Sequence, residues 1–85
     1  MNLTFGTDEA FEEFTDWFST DKKIAKKIVD LIKAIKRDPF SGIGKPEPLK
    51  HNLSKKWSRR ITDEHRLVYE IIDENLVIIS CKQHY

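Results

Sequence analysis

The side chain best placed to do chemistry is a carboxylate in a proline-rich segment. Glu47 lies between Pro46 and Pro48, and prolines restrict the backbone on both sides of it. A flexible linker would gain nothing from this restriction. A segment that must present a carboxylate at a fixed place would benefit from the restriction, so Glu47 is a candidate acid–base group.

Two arginines flank a predicted turn and form a second candidate group. Arg60 and Arg66 lie on either side of Asp63-Glu64-His65, and hairpin geometry could bring them side by side. Adjacent cations repel each other unless an anion lies between them, so the pair indicates a site for an anionic ligand. Pairing with Asp63, Glu64 or Glu70 is the alternative.

The remaining titratable residues indicate less. The chain ends on His84-Tyr85 directly after a predicted strand, and a terminal dipeptide is commonly frayed. We expect His51 and His65 to be structural hydrogen-bond partners and Cys81 to be buried without a chemical role. The sequence contains no phosphate-binding glycine loop, no cysteine pair and no histidine spacing typical of zinc. We therefore expect no metal and no cofactor.

The first half of the chain predicts a strand and two helices that could support these groups. Residues 2–6 are a predicted strand, and Thr7 is the predicted N-cap of a helix. The apolar stripe of this helix, which we expect to face the core, consists of Ala10, Phe11, Phe14, Trp17 and Phe18. A second helix is predicted from Asp21 to Arg37, with its own apolar stripe. A short link between two amphipathic helices predicts an antiparallel hairpin.

The second half predicts a loop followed by a sheet. Residues 38–55 contain all three prolines and two of the three glycines, which is typical of an ordered loop. Residues 57–62, 66–72 and 76–82 are predicted strands. Side chains alternate between faces along a strand, so Leu67, Tyr69 and Ile71 would face the core and Arg66 the open face. The fold class predicted is α+β, with the helical hairpin packed on one face of a twisted, mostly antiparallel sheet.

Composition limits the protein to one small domain covering residues 1–85. Its longest apolar runs are far shorter than a membrane span, and the lone cysteine favours a reducing cytoplasm. The net charge is only +1, but residues 22–37 and 45–66 each hold seven basic residues. These tracts predict surfaces that face a polyanion or a partner. A solvated lysine-rich face is the alternative for the first tract.

Three internal segments and the chain end make the sequence recognisable. They are residues 44–54 (GKPEPLKHNLS), 57–62 (WSRRIT), 64–69 (EHRLVY) and His84-Tyr85. Together with the shorter segments Thr20-Asp21-Lys22 and Asp38-Pro39-Phe40, they closely resemble the YoeB toxins, of the RelE-like group in bacterial type II toxin–antitoxin systems. The resemblance covers the whole chain, and the first helix differs most.

This resemblance implies a RelE-like fold and an endoribonuclease that cuts mRNA in the ribosomal A site. Matching positions imply that Glu47, Arg66, His84 and Tyr85 are catalytic. The same comparison implies that Lys50 and Arg60 hold RNA phosphates. Attack by the 2′-OH would leave a 2′,3′-cyclic phosphate and a 5′-hydroxyl without a metal ion.

The partners implied are a YefM-like antitoxin, the 70S ribosome with its mRNA, operator DNA bound through the antitoxin complex, and a second copy of the chain in a homodimer. We expect the antitoxin to displace the tail that carries His84 and Tyr85. The alternatives left by the sequence are a binding module without catalysis, a nuclease that cuts naked RNA equally well, and a plain structural domain.

Overall fold

The computed structural model describes residues 1–82 and has two helices packed on one face of a five-stranded sheet. The elements in chain order are β1 (Asn2–Phe5), α1 (Asp8–Thr20), α2 (Lys22–Arg37), β2 (Glu47–Pro48), a short 3₁₀ helix (His51–Leu53), β3 (Trp57–Arg60), β4 (Arg66–Ile72) and β5 (Asn75–Ser80). The strand order across the sheet is β1-β5-β4-β3-β2. All neighbours are antiparallel except β1 and β5, which are parallel.

Both helices begin at the residues that the sequence predicts. The Thr7 hydroxyl accepts a hydrogen bond from the Ala10 amide at 3.1 Å, which confirms Thr7 as the N-cap of α1. Asp21 caps α2 by accepting from the amides of Lys23 and Ile24. Each cap satisfies backbone donors that the first turn of a helix leaves without a partner.

The core lies between the helical hairpin and one face of the sheet. Its main contributors from α2 are Ile28, Leu31 and Ile35, which are fully buried, as the helical spacing predicts. Leu67 and Tyr69 from β4 meet them from the sheet. The alternation of β4 is therefore confirmed, and Arg66 points to the opposite face.

The first apolar stripe is only partly buried, which corrects our expectation. Ala10 and Trp17 are buried, but Phe11 is 50% exposed and Phe18 is 45% exposed. Phe11 stacks edge-on against Phe5, and Phe18 does the same against Phe14. The stripe is wider than the contact that α1 makes with the sheet, so its two edges remain at the surface.

The prediction of a continuous loop over residues 38–55 is wrong at two places. Glu47–Pro48 forms a two-residue strand that pairs with β3, and His51–Leu53 forms a 3₁₀ turn. Proline is tolerated at the edge of a sheet because its missing N–H can face outward. The prolines therefore hold β2 extended, as an edge strand rather than as a loop.

Candidate active site

The candidate site lies on the sheet face opposite the helices, which we call the open face. Glu47 on β2 is directly opposite Ser58 on β3, and Ser58 is opposite Val68 on β4. Residues paired in this way point to the same face of a sheet. Glu47 is exposed, whereas Ser58 and Val68 are buried and form the floor beside it.

The two arginines lie side by side on the same open face. Arg60 is the cross-strand partner of Arg66 in the register of β3 and β4, as the hairpin turn predicts. Typical strand spacings put the Cα atoms of Glu47 and Arg66 about 12 Å apart, and those of Glu47 and Arg60 about 8 Å apart. These are distances that two long side chains can span around one phosphodiester group.

The guanidinium of Arg66 is held by the turn that precedes it. Its Nη1 donates to the carbonyl oxygens of Thr62 at 2.8 Å, Asp63 at 3.1 Å and His65 at 3.3 Å. The alternative that Arg60 or Arg66 pairs with Asp63, Glu64 or Glu70 does not hold. Within residues 1–82, neither arginine lies within 4.0 Å of a carboxylate.

Lys50 lies at the other end of the β2–β3 hairpin from the arginines. The Leu49 amide donates to the Lys56 carbonyl at 2.9 Å, and Lys50 follows at the start of the exposed turn. Glu47 is therefore between Lys50 on one side and Arg60 on the other along the strand direction. The two candidate phosphate-binding cations are not brought together but separated by the carboxylate.

An ion pair that the sequence analysis did not identify also lies on the open face. Lys56 Nζ is 3.4 Å from Glu70 Oε1, and both side chains are largely shielded from solvent. Alternation places Lys56 two residues from Ser58 and Glu70 two residues from Val68, next to the row that holds Glu47. The alternation of β4 could have indicated this position for Glu70, but not its partner.

A buried cation behind the site was also missed. Arg59 is fully buried on the helix-facing side of β3. Its Nε donates to Tyr69 Oη at 3.2 Å, its Nη1 to the Ile43 carbonyl at 3.0 Å, and its Nη2 to the carbonyls of Asp38 and Ser41 at 2.8 and 2.9 Å. The Tyr69 hydroxyl donates to the Pro39 carbonyl at 2.6 Å. The sequence contained one indication of this burial, because Arg59 alternates with Trp57 and Ile61 and would share their face of the strand.

The pKa values of Tyr69 and Asp38, two neighbours of Arg59, are shifted in this arrangement. Burial raises the pKa of the Tyr69 phenol, which therefore remains a protonated donor near neutral pH. The pKa of the Asp38 carboxyl is lowered, chiefly by its hydrogen bonds from the Ser41 hydroxyl and the Phe40 amide and to a smaller extent by the charge of Arg59.

Side chains from α1 and from the β3–β4 turn anchor the end of β5. Glu13 Oε1 accepts hydrogen bonds from Ser80 Oγ and from the Cys81 amide, and Trp17 Nε1 donates to the Cys81 carbonyl at 2.9 Å. His65 Nδ1 meets the Lys82 carbonyl. A bulge lets Val68 pair with Ser80 while Tyr69 pairs with Ile78, which turns the strand end towards α1.

The remaining candidates have structural roles or lie outside the described residues. His65 closes its hairpin through its carbonyl, which accepts from the amides of Ile61 and Thr62. Cys81 is buried, and burial raises the pKa of its thiol to about 12. His51 is exposed at the start of the 3₁₀ turn, where its backbone carbonyl accepts from the Ser54 amide, so within residues 1–82 its side chain does not have the structural role that we expected. His84 and Tyr85 lie beyond residue 82, outside the described residues.

Two negative observations hold for the described part of the chain. Across residues 1–82, no group of three His, Cys, Asp or Glu side chains is arranged to hold a metal ion. Over the same residues, neither helix combines the length and the apolar character needed to cross a bilayer.

The arrangement resembles that of known toxins. A YoeB toxin from Synechocystis sp. is 69% identical over 85 residues, which is 100% of this chain and 98% of that protein. The YoeB dimer from Staphylococcus aureus has a TM-score of 0.92 and 50% identity, and the YoeB-YefM complex from the same organism has 0.91 and 49%. Each structural match covers 100% of this chain and 98% of the other.

Two helices packed on one face of a five-stranded, mostly antiparallel sheet with an N-terminal strand are the fold of the RelE-like toxins. Residues 6–85 match the family described as the YoeB-like toxin of bacterial type II toxin-antitoxin systems. The chain belongs to this YoeB-like toxin family.

Proposed function

We propose that the protein is a ribosome-dependent endoribonuclease that cuts mRNA in the A site and so stops translation. The observation that carries the proposal is the placement of Glu47, Arg60 and Arg66 on one open sheet face. Membership in the YoeB-like family supports it. The products would be a 2′,3′-cyclic phosphate and a 5′-hydroxyl.

RNA cleavage of this kind makes limited demands on the protein. The 2′-OH of the substrate is the nucleophile, so neither a metal ion nor a covalent intermediate is required. The protein must supply a base for the 2′-OH proton, an acid for the leaving 5′-oxygen, and cations for the charge that builds on the phosphoryl oxygens. A carboxylate near two arginines supplies the first and the third.

Glu47 takes the role of the base, because its exposed carboxylate can reach a bound nucleotide from the edge of the sheet. Arg66 takes the role of the cation that stabilises the transition state. The three carbonyl contacts of its Nη1 fix the direction of the guanidinium. A donor that is oriented before the reaction does not have to be ordered during it, which is the basis of electrostatic catalysis.

Lys50 and Arg60 take flanking phosphates. An RNA strand that runs along β3 over Glu47 would meet Arg60 at one end and Lys50 at the other. Their separation on either side of the carboxylate fits consecutive phosphates of one strand better than a single shared phosphate. Within residues 1–82, neither residue lies within 4.0 Å of a carboxylate.

His84 and Tyr85 take the roles that the family resemblance implies. His84 would protonate the leaving 5′-oxygen, because histidine is the side chain that titrates near neutral pH. Tyr85 would stack on a base or orient the phosphate. The anchored carbonyls of Cys81 and Lys82 fix the point from which these residues extend.

The partners follow from the relatives. The structures of the Staphylococcus aureus relatives are a YoeB-YefM complex and a YoeB dimer. We propose that this chain is neutralised in the cytoplasm by a YefM-like antitoxin, which displaces the tail. The complex would bind operator DNA and repress its own operon, and the free toxin would form a homodimer.

Mapping the ends of mRNA on ribosomes that have been incubated with the purified protein tests the activity. We expect cuts inside A-site codons, with 5′-hydroxyl ends that a polynucleotide kinase can label directly. Protection of the mRNA without cuts would indicate a binding module, and equal cutting of naked RNA would indicate a ribosome-independent nuclease.

Three substitutions test the roles. Glu47→Gln should lower the single-turnover rate on the order of 10²–10⁴-fold, and Arg66→Ala on the order of 10²–10³-fold. Glu12→Gln, an exposed carboxylate on α1, is the matched control and should cleave at the wild-type rate. His84→Gln should flatten the alkaline limb of the pH–rate profile. Wild-type rates for both Glu47→Gln and Arg66→Ala would refute the assignment.

A further inference from the structure

The most unusual group outside the candidate site is the buried guanidinium of Arg59. Burying a cation is costly unless hydrogen bonds and charges compensate for it. Within residues 1–82 no carboxylate lies within 4.0 Å of Arg59. Its hydrogen-bond acceptors are instead neutral oxygens, and its charge makes only a minor contribution to the lowered pKa of the exposed Asp38 carboxyl. Such a cation does little for stability that a well-packed apolar side chain could not do.

The acceptors of Arg59 are carbonyl groups of the loop that follows α2 and the hydroxyl of Tyr69, which itself donates to that loop. We call the side chains of Arg59 and Tyr69, with the carbonyl groups of residues 38, 39, 41 and 43, the Arg59 network. Every polar atom of the guanidinium donates within it. The network therefore fixes the loop from the end of α2 almost to Gly44.

The loop leads directly to Glu47, which is otherwise held by the pairing of β2 with β3 and by the hydrogen bond from the Leu49 amide to the Lys56 carbonyl. β2 is only two residues long and pairs with β3 through Glu47 opposite Ser58 and Pro48 opposite Trp57. On its other side, the Gly44 carbonyl accepts from the Arg60 amide at 2.7 Å. Glu47 is thus held between a short ladder on one side and the loop ordered by Arg59 on the other.

We propose that Arg59 is a positioning residue that acts through Glu47. Its side chain is on the helix-facing side of β3 and does not reach the open face. It acts by ordering the backbone that carries the carboxylate, and this role rests on the proposed function of Glu47 as the base. A displacement of about 1 Å at a reacting group can lower a rate on the order of 10²-fold.

Arg59→Lys is the informative substitution. Lysine keeps the positive charge but has one nitrogen in place of three, so it cannot reach all the acceptors spaced around the edge of the guanidinium. We expect the single-turnover rate at saturating protein to fall on the order of 10²-fold. The protein concentration that gives half the maximal rate should change little. Arg37→Lys, at the exposed end of α2, is the matched control and should keep the wild-type rate.

A double-mutant cycle distinguishes positioning from general structural damage. We would measure wild type, Arg59→Lys, Glu47→Gln and the double variant on programmed ribosomes, after confirming each fold by circular dichroism. If Arg59 acts through Glu47, then Arg59→Lys should lower the rate of the Glu47→Gln protein by no more than about threefold, because coupled residues are not additive. An equal loss in both backgrounds would overturn the inference and leave the function of Glu47 intact.

The other outcomes are also decisive. If Glu47→Gln cleaves at the wild-type rate, the proposed base is wrong and the role of Arg59 is wrong with it. If Arg59→Lys does not fold at the assay temperature, Tyr69→Phe replaces it in the cycle. That variant removes only the hydroxyl that accepts from Arg59 and donates to Pro39. We expect a loss on the order of tenfold that again disappears in the Glu47→Gln background; an undiminished loss there would overturn the inference.

Discussion

Trp17→Phe tests the contact that fixes the end of β5. Trp17 is 9% exposed, and its indole N–H donates to the Cys81 carbonyl at 2.9 Å in a buried environment. Phenylalanine fills most of the same space but cannot donate. The substitution removes a buried hydrogen bond and leaves its acceptor without a partner.

The expected loss has two parts. Leaving a buried acceptor unsatisfied costs about 1–3 kcal/mol, and the smaller apolar surface of phenylalanine costs about 1 kcal/mol more. The free energy of unfolding should therefore fall by about 2–4 kcal/mol. A chain of this length has a total free energy of unfolding of roughly 4–13 kcal/mol, so the loss would be a large and measurable fraction of the total.

Urea unfolding at 25 °C, followed by circular dichroism, measures this loss. Trp57→Phe is the matched control, because within residues 1–82 the Trp57 indole makes no hydrogen bond and the ring packs against Phe40 with centroids 4.8 Å apart. It should cost only about 1 kcal/mol or less. Equal losses for the two variants would refute the argument that the hydrogen bond to Cys81 contributes to stability.

Three further predictions concern the loop and the core. Gly44 has φ +85, and an added Cβ would lie 2.7 Å from Cδ2 of the buried Leu31, so Gly44→Ala should destabilise the protein by about 2–4 kcal/mol in the same urea assay; an unchanged midpoint would contradict this. The folded-state pKa of Asp38 lies below its ordinary value of 3.8, so its stabilising contribution is complete above that value and is lost as the pH falls through the lowered pKa. Asp38→Asn should therefore reduce the difference in unfolding free energy between pH 6 and pH 2, and an undiminished difference would count against the loop contacts. Cys81, with a pKa of about 12, should react with a disulfide reagent at pH 8 only as fast as the protein unfolds, and immediate labelling of the native protein would show that the thiol is accessible.

Local patterns were sufficient to predict the helices and the arginine pair. Thr7 and Asp21 cap their helices through contacts within three residues, and such short-range chemistry can be read from the sequence. The pairing of Arg60 with Arg66 follows from a single hairpin turn. The face of Arg66 then follows from the apolar residues that alternate with it.

Features that depend on distant partners could not be predicted in the same way. β2 is a strand only because β3 lies beside it, and a two-residue strand has no periodicity of its own. Arg59 is buried because loop carbonyls 16 to 21 residues earlier surround its guanidinium. The identity of the residue gives the opposite expectation, since arginine is usually exposed. Phe11 and Phe18 were assigned to the core by spacing alone, which does not reveal how wide a surface the sheet offers.

The parallel pairing of β1 with β5 joins the two ends of the described chain. Asn2 is opposite Asn75 and Phe5 is opposite Ile78, so β1 has no strand to pair with until β5 has been synthesised. Until then β1 and the aromatic side of α1 lack the surface on which they dock, and the contacts from Glu13 and Trp17 to residues 80–81 cannot form. The N-terminal part of the fold can therefore be completed only after β5 has been synthesised.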